Sequence, residues 1–112
     1  MLDNLIQIID YGRLLDHENR GLPTSAKGLK ACEEMGELAT AALYEQGYLQ
    51  HKTVGESSFG EAADVIICVL DLLQALHPNL TQRQVVLELA HSLDTKFQKW
   101  KLVTTESYHE HS

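Results

Sequence analysis

Apolar residues recur along this chain at spacings of three and four, the period of an α-helix, in four separate blocks. The first block spans Leu2–Asn19. Leu5, Ile6, Ile8 and Ile9 give it a broad apolar face, Leu14 and Leu15 widen that face, and Asp3 is placed to cap its start. Gly21 and Pro23 end it. The second block runs from a cap at Thr24 or Ser25 to about Gln46, with Leu29, Cys32, Leu38, Ala39, Ala42 and Leu43 as apolar positions and Gly47 as terminator. The third, about Phe59 to Leu76, is capped by Ser57 or Ser58 and stopped by His77-Pro78-Asn79. Its centre (Val65, Ile66, Ile67, Val69, Leu70, Leu72, Leu73) is apolar on every side, the pattern of a buried central helix. Thr81 caps the fourth, about Gln82 to Lys101, where Val85, Val86, Leu89, Ala90, Leu93, Phe97 and Trp100 share one side. No stretch carries a strand signal, so the expected fold is all-α, a four-helix bundle.

Length and composition add a few bounds. The 112 residues predict one domain over 1–104, followed by a polar tail, 105–112, expected to be disordered, with His109 and His111 at its surface. A chain this short buries a limited share of its surface alone, so oligomerisation would help it. The formal net charge, 9 − 16 = −7, repels nucleic-acid phosphate, which disfavours a duplex-binding module. The longest apolar run, near Val65–Leu70, is far short of a membrane span, so no membrane partner is expected. Cys32 and Cys68 form no Cys-x-x-Cys pair and read as small buried residues in a reducing, cytoplasmic setting. The connection Gly47–Gly60, with His51 and Lys52 in its middle, is long for a compact domain and reads as a functional or mobile loop.

Two acidic patterns break the apolar helices. Glu33, Glu34 and Glu37 fall within about 100° of arc on the second helix, and Glu61, Asp64 and Asp71 within about 80° on the third. Like charges at i, i+3 and i, i+4 weaken a helix by roughly 0.2–0.5 kcal/mol per pair unless something offsets them. Asp64 and Asp71 are embedded in aliphatic sequence, and no lysine or arginine stands between Lys52 and Arg83. A carboxylate buried there needs a cation from another helix or a metal ion. A cluster of hard oxygen ligands without His or Cys suits Mg²⁺, for which Mn²⁺ can substitute, rather than zinc. On the fourth helix Lys96 lies within the apolar arc and Lys99 at its edge. Either reaches past the core to water, or both contact phosphates held by the metal. Lys30, one turn before Glu33 and Glu34, is a further candidate for that role, and Lys52 another.

With its Glu34-Met35-Gly36-Glu37 and Glu61-Ala62-Ala63-Asp64 segments, the chain resembles the all-α nucleoside triphosphate pyrophosphohydrolase superfamily, most closely its small MazG-like members. The signature of that family is ExxE, a spacer, then ExxD. The wider wording, EEMGEL and GEAADVIICVLDLL, is similar across both central helices, and Lys96-Phe97-Gln98-Lys99-Trp100 resembles the family's late phosphate-contacting segment. The resemblance covers roughly Lys27 to Trp100. It implies a four-helix bundle assembled as a dimer or tetramer, with Glu34, Glu37, Glu61 and Asp64 binding Mg²⁺. The implied activity is hydrolysis of a nucleoside or deoxynucleoside triphosphate to monophosphate and pyrophosphate; the motif does not name the base.

The expected mechanism is water attack at the α-phosphorus, with Glu33 or Glu34 taking the proton and Lys96 and Lys99 stabilising charge on the leaving pyrophosphate. Asp71 would support the ligands or contact sugar or base. Two other readings compete. A di-iron carboxylate bundle needs Glu-x-x-His on two helices, and only Glu88-Leu89-Ala90-His91 fits, off the apolar arc. A non-catalytic bundle that binds a protein partner leaves the buried acids unexplained.

Overall fold

The computed structural model describes residues 1–48 and 57–111. Most of the Gly47–Gly60 connection, with His51 and Lys52, lies outside the described residues, as do the side chains of His109 and His111. Four helices follow one another: α1 (Leu2–His17), α2 (Thr24–Glu45), α3 (Ser58–Leu76) and α4 (Gln82–His111), with no strand among the described residues. The periodicity therefore located every helix. No described helix is long and apolar enough to cross a membrane.

The helix ends have local causes. α1 starts on Met1 with Asp3 in its first turn rather than as its cap. It closes where Arg20 N–H and Gly21 N–H return to the Leu15 carbonyl, with Asn19 in the left-handed region at φ 58°. Pro23, not Thr24 or Ser25, occupies the cap position of α2 and no side chain caps it; proline's fixed φ suits an entry turn. Gly47, at φ +85°, takes the left-handed conformation just past the end of α2 that glycine adopts without strain. The Ser57 hydroxyl accepts the Gly60 amide at 3.3 Å and caps α3. At α4 the cap is reciprocal: Gln84 N–H donates to Thr81 Oγ1 at 3.1 Å, and Thr81 N–H donates to Gln84 Oε1 at 2.8 Å. α4 continues beyond Lys101, the end expected from the sequence, to His111.

Ile9, Leu70, Val85 and Val86 form the core where α1, α3 and the first turns of α4 meet; Leu5, Ile6, Leu73 and Leu89 pack around it. α2 packs on α3 alone, with Ala41 buried in that seam. α3 is central, yet it is not enclosed on every side as its sequence suggests: Ile66 and Ile67 remain exposed. Cys32 is exposed and Cys68 half-buried, which corrects the reading of both as buried. Three helices cannot cover every face of a fourth in a chain of this length. The radius of gyration is 17.3 Å, against about 13 Å for a compact chain of this size.

A polar network ties the first three helices together. Lys27, only 3% exposed, donates to Asp71 Oδ2 at 2.8 Å and to Asp16 Oδ1 at 3.0 Å. Gln74 Nε2 donates to Asp16 Oδ2 at 2.8 Å and to Asp71 Oδ1 at 3.0 Å. α1 and α2 do not otherwise approach each other, so this network is their link. It needs two small residues. A Cβ on Gly12 would come within 2.6 Å of Asp71 Oδ1, and one on Gly21 would collide with Asp16. Burial acts to lower the Lys27 pKa, but the Asp71 and Asp16 carboxylates outweigh it and hold it above the ordinary value. For Asp16, burial raises the pKa and the Gln74 and Lys27 hydrogen bonds more than offset it, so the net direction is down.

A depressed carboxylate pKa gives stability that is present above the unfolded value of 3.8 and is lost as pH falls through the folded one. Replacing Lys27 with methionine should therefore destabilise the fold by about 2–3 kcal/mol near neutral pH. That is below the figure for a fully buried pair, because both aspartates retain some contact with water. The acid-side loss of stability should also become shallower. Urea unfolding followed by circular dichroism between pH 3 and 7, roughly the range where carboxylates titrate, measures both effects.

Candidate metal centre

Lys27, Glu34 and Ala41 stand seven residues apart on α2, two helical turns, so all three share the face that meets α3. All three are buried. The far end of that seam is clamped across the connection: the Glu45 carboxylate accepts Ser58 N–H at 2.8 Å and Ser58 Oγ–H at 2.7 Å. These bonds hold the Glu45 pKa below its ordinary value. With α2 and α3 fixed in register, Glu34 comes opposite the first turns of α3.

One carboxylate oxygen from each of Glu34, Glu61 and Asp64 lies within 4.8 Å of the other two. Glu34 and Glu61 are buried and Asp64 is half-buried. Glu61 Oε2 is sealed from solvent and has no hydrogen-bond partner, a costly condition for a carboxylate oxygen. Among the described residues no lysine or arginine pairs with Glu61 or Asp64. Glu37 is exposed at the rim. The negative charge of Glu34, a small burial effect, and the charge of Glu61 together push its pKa up.

Among the described residues, Lys30 is the one cation beside this group. Its Nζ is 3.2 Å from Glu34 Oε1 and 3.6 Å from Glu33 Oε2, and the Glu34 contact leads the causes that raise its pKa. Glu33 itself is largely exposed. Burial, then the charges of Glu34, Asp64 and Asp71, raise the Cys68 thiol; it sits between the acidic group and the Lys27 network. Comparison of the chain with protein-family models, curated proteins and solved structures gives no match.

The site residues picked out by sequence thus fall into three sets. Glu34, Glu61 and Asp64 converge, with Glu37 at their rim and Glu33 and Lys30 outside them. Asp71 stands apart, held by Lys27 and Gln74. Lys96 and Lys99 are exposed on α4, which touches α1 and α3 but never α2. Glu88 and His91, the pair a di-iron site would need, are both exposed. Lys27, Asp16 and Gln74 escaped the sequence reading. A lysine in phase with Ala41 on α2, and a glycine inside α1 at Gly12, are the signals that point to them.

The donor set fits a hard divalent cation: several carboxylate oxygens, one of them orphaned in the protein, and no nitrogen or sulfur ligand. Without a cation, the Glu61 carboxylate destabilises the fold. Glu61→Gln is therefore expected to raise the metal-free stability by roughly 1 kcal/mol, the scale of an unmet buried polar group. The same change should remove most of the thermal stabilisation by Mg²⁺ or Mn²⁺. The raised pKa of Glu37 means that metal-free stability declines as pH rises above the ordinary value of 4.5, and a cation reverses that decline. Any increase in melting temperature brought by a divalent cation should accordingly grow from acid to neutral pH, as scanning calorimetry can follow.

Proposed function

We propose that the chain is a Mg²⁺-dependent nucleoside or deoxynucleoside triphosphate pyrophosphohydrolase that works as a homo-oligomer. The observation that carries the reading is the convergence of Glu34, Glu61 and Asp64 around a buried oxygen of Glu61 that finds no partner in the protein. Two buried acids and a third beside them repel one another, and a cation joining them offsets that repulsion. Mg²⁺ holds few protein ligands, keeps open positions for water, and pairs readily with phosphate oxygens. The ExxE and ExxD segments supply that chemistry in the order seen in the MazG-like family.

In this reading Glu34, Glu61 and Asp64 hold the cation, and Glu37 closes the site from its rim. The cation, when bound, would fix the triphosphate and lower the pKa of the attacking water. Glu34 belongs to the buried group, which leaves Glu33, exposed one residue away, to accept the proton from that water. Lys30, held at the mouth by Glu33 and Glu34, supplies positive charge for phosphate oxygens. Lys96 and Lys99 act on the leaving pyrophosphate. Asp71, tied to Lys27 and Gln74, orders the α3 face behind the site rather than contacting nucleotide.

A panel of nucleoside and deoxynucleoside triphosphates, incubated with the protein and Mg²⁺, should yield monophosphate and pyrophosphate from at least one member. Glu37→Ala and Asp64→Ala should each abolish that release, and Glu33→Gln should depress turnover by about 10²–10⁴-fold with little effect on metal affinity. Near-normal turnover of Glu37→Ala or Asp64→Ala at saturating Mg²⁺ would refute the site.

A further inference from the structure

The first turns of α4 are packed, but from Ala90 to Glu106 every described residue is exposed. Along that length Leu93, Phe97, Trp100 and Val103 continue the apolar stripe that begins at Val85 and Leu89 in the core. Leu93 is 61% exposed and Trp100 66%. A helix of this length with nothing against it is marginal in water, so the stripe calls for a partner. The two aromatic rings already lie together, centroids 6.3 Å apart, with Lys101 Nζ 5.2 Å from the Phe97 centroid.

A complementary feature lies between α1 and α3, beside the core, against which its wall residue Ile8 also packs. There α1 and α3 leave an open cavity of about 580 Å³ whose walls include Ile8, Tyr11, Leu15, Ile67 and Cys68, with Asp71 at its edge. The chain cannot fill this groove with its own arm, because α4 is one continuous helix anchored on the core side by Val85 and Val86.

We propose that the α4 arm of one copy docks in the α1–α3 groove of a second copy, with Phe97 and Trp100 as its anchors. Charge selects a second copy as the occupant. Lys96 stands within the apolar stripe and Lys99 at its edge, in a chain whose net charge is −7. The groove shares its α3 face with acids: Glu61, Asp64, Cys68 and Asp71 stand at i, i+3, i+7 and i+10. An arm seated there sets its lysines beside the acidic group of the copy that receives it. Two-fold symmetry makes the exchange reciprocal, with two arms and two grooves. Each buried aromatic contributes about 150–250 Å², so two arms with their grooves approach the ~1,600 Å² of a standard interface. The docking stands without any activity. That Lys96 and Lys99 then act in the neighbour's site rests on the pyrophosphohydrolase reading.

Trp100 is the sole tryptophan and reports docking directly. Sedimentation of the full chain at micromolar concentration should give a dimer or a larger even assembly, with tryptophan emission shifted to the blue of that in urea and moving red on dilution. Phe97→Glu on the arm and Ile67→Glu in the groove alter exposed residues, so each should keep its helical circular dichroism. Each should weaken self-association by at least about tenfold, the effect of losing a hot-spot contact, and Ile67→Glu should turn the Trp100 emission red. A monomeric wild-type chain, or an assembly indifferent to both substitutions, overturns the docking. For the lysines, Glu37→Ala chains are mixed with Lys96→Ala/Lys99→Ala chains. Recovery of pyrophosphate release supports action across the interface, and no recovery from an active wild type overturns it. Absence of release from wild type rejects the enzymatic reading and the lysine role with it, while sedimentation still decides the docking.

Discussion

A carboxylate withdrawn from water needs a compensating positive charge, and the seam between α2 and α3 meets that need at one end but not at the other. Toward the start of α2, Lys27 reaches Asp71 and Asp16 and, with Gln74, satisfies both. Two turns on, Glu34 faces Glu61 and Asp64 with only Lys30 at the outer edge. The same packing that places Lys27 places Glu34, since both project from one face of α2 in phase with Ala41. The first end reads as architecture; the second could hold a cation, because among the described residues only there is a buried side-chain oxygen without a partner.

The division of labour between the two ends affects both stability and chemistry. The Lys27 network links helices whose backbones do not otherwise approach, and it fixes the face of α3 from Asp71 to Gln74. A preorganised α3 keeps Glu61 and Asp64 turned toward Glu34 despite their mutual repulsion. In an enzyme of the proposed kind, ligands held before the cation arrives need little rearrangement when it binds. The strain of holding them is felt at the rim, where the Glu37 pKa is raised.

The core is small for the number of apolar residues. Only a few side chains where α1, α3 and α4 meet are sealed from water, while aromatic and aliphatic residues stay exposed along the α4 arm, on α3 and in the α1–α3 groove. An incomplete core is one physical reason for a short chain to self-associate, and the lysines of the arm, set against the acidic face of α3, would give the proposed association a direction.

The sequence by itself determined the four helices, because apolar spacing reports which face of a helix avoids water whatever that face packs against. It also marked Glu34, Glu37, Glu61 and Asp64, since acids set into apolar helices carry a cost that their own helix cannot offset; the structure brings three of them together and leaves Glu37 exposed beside them. Some features it left open. Asp71 shares an arc of α3 with Asp64, and the sequence alone leaves its role between supporting the ligands and contacting sugar or base. Only the tertiary structure separates them, because it alone shows that Lys27 and Gln74 reach the first and that, among the described residues, no lysine reaches the second. The buried α3 expected from its all-round apolarity is likewise a property of what surrounds it, and within a single chain that surrounding is incomplete. Local sequence fixes periodicity and charge; which charges meet depends on residues far apart along the chain, and that is decided by how the helices pack.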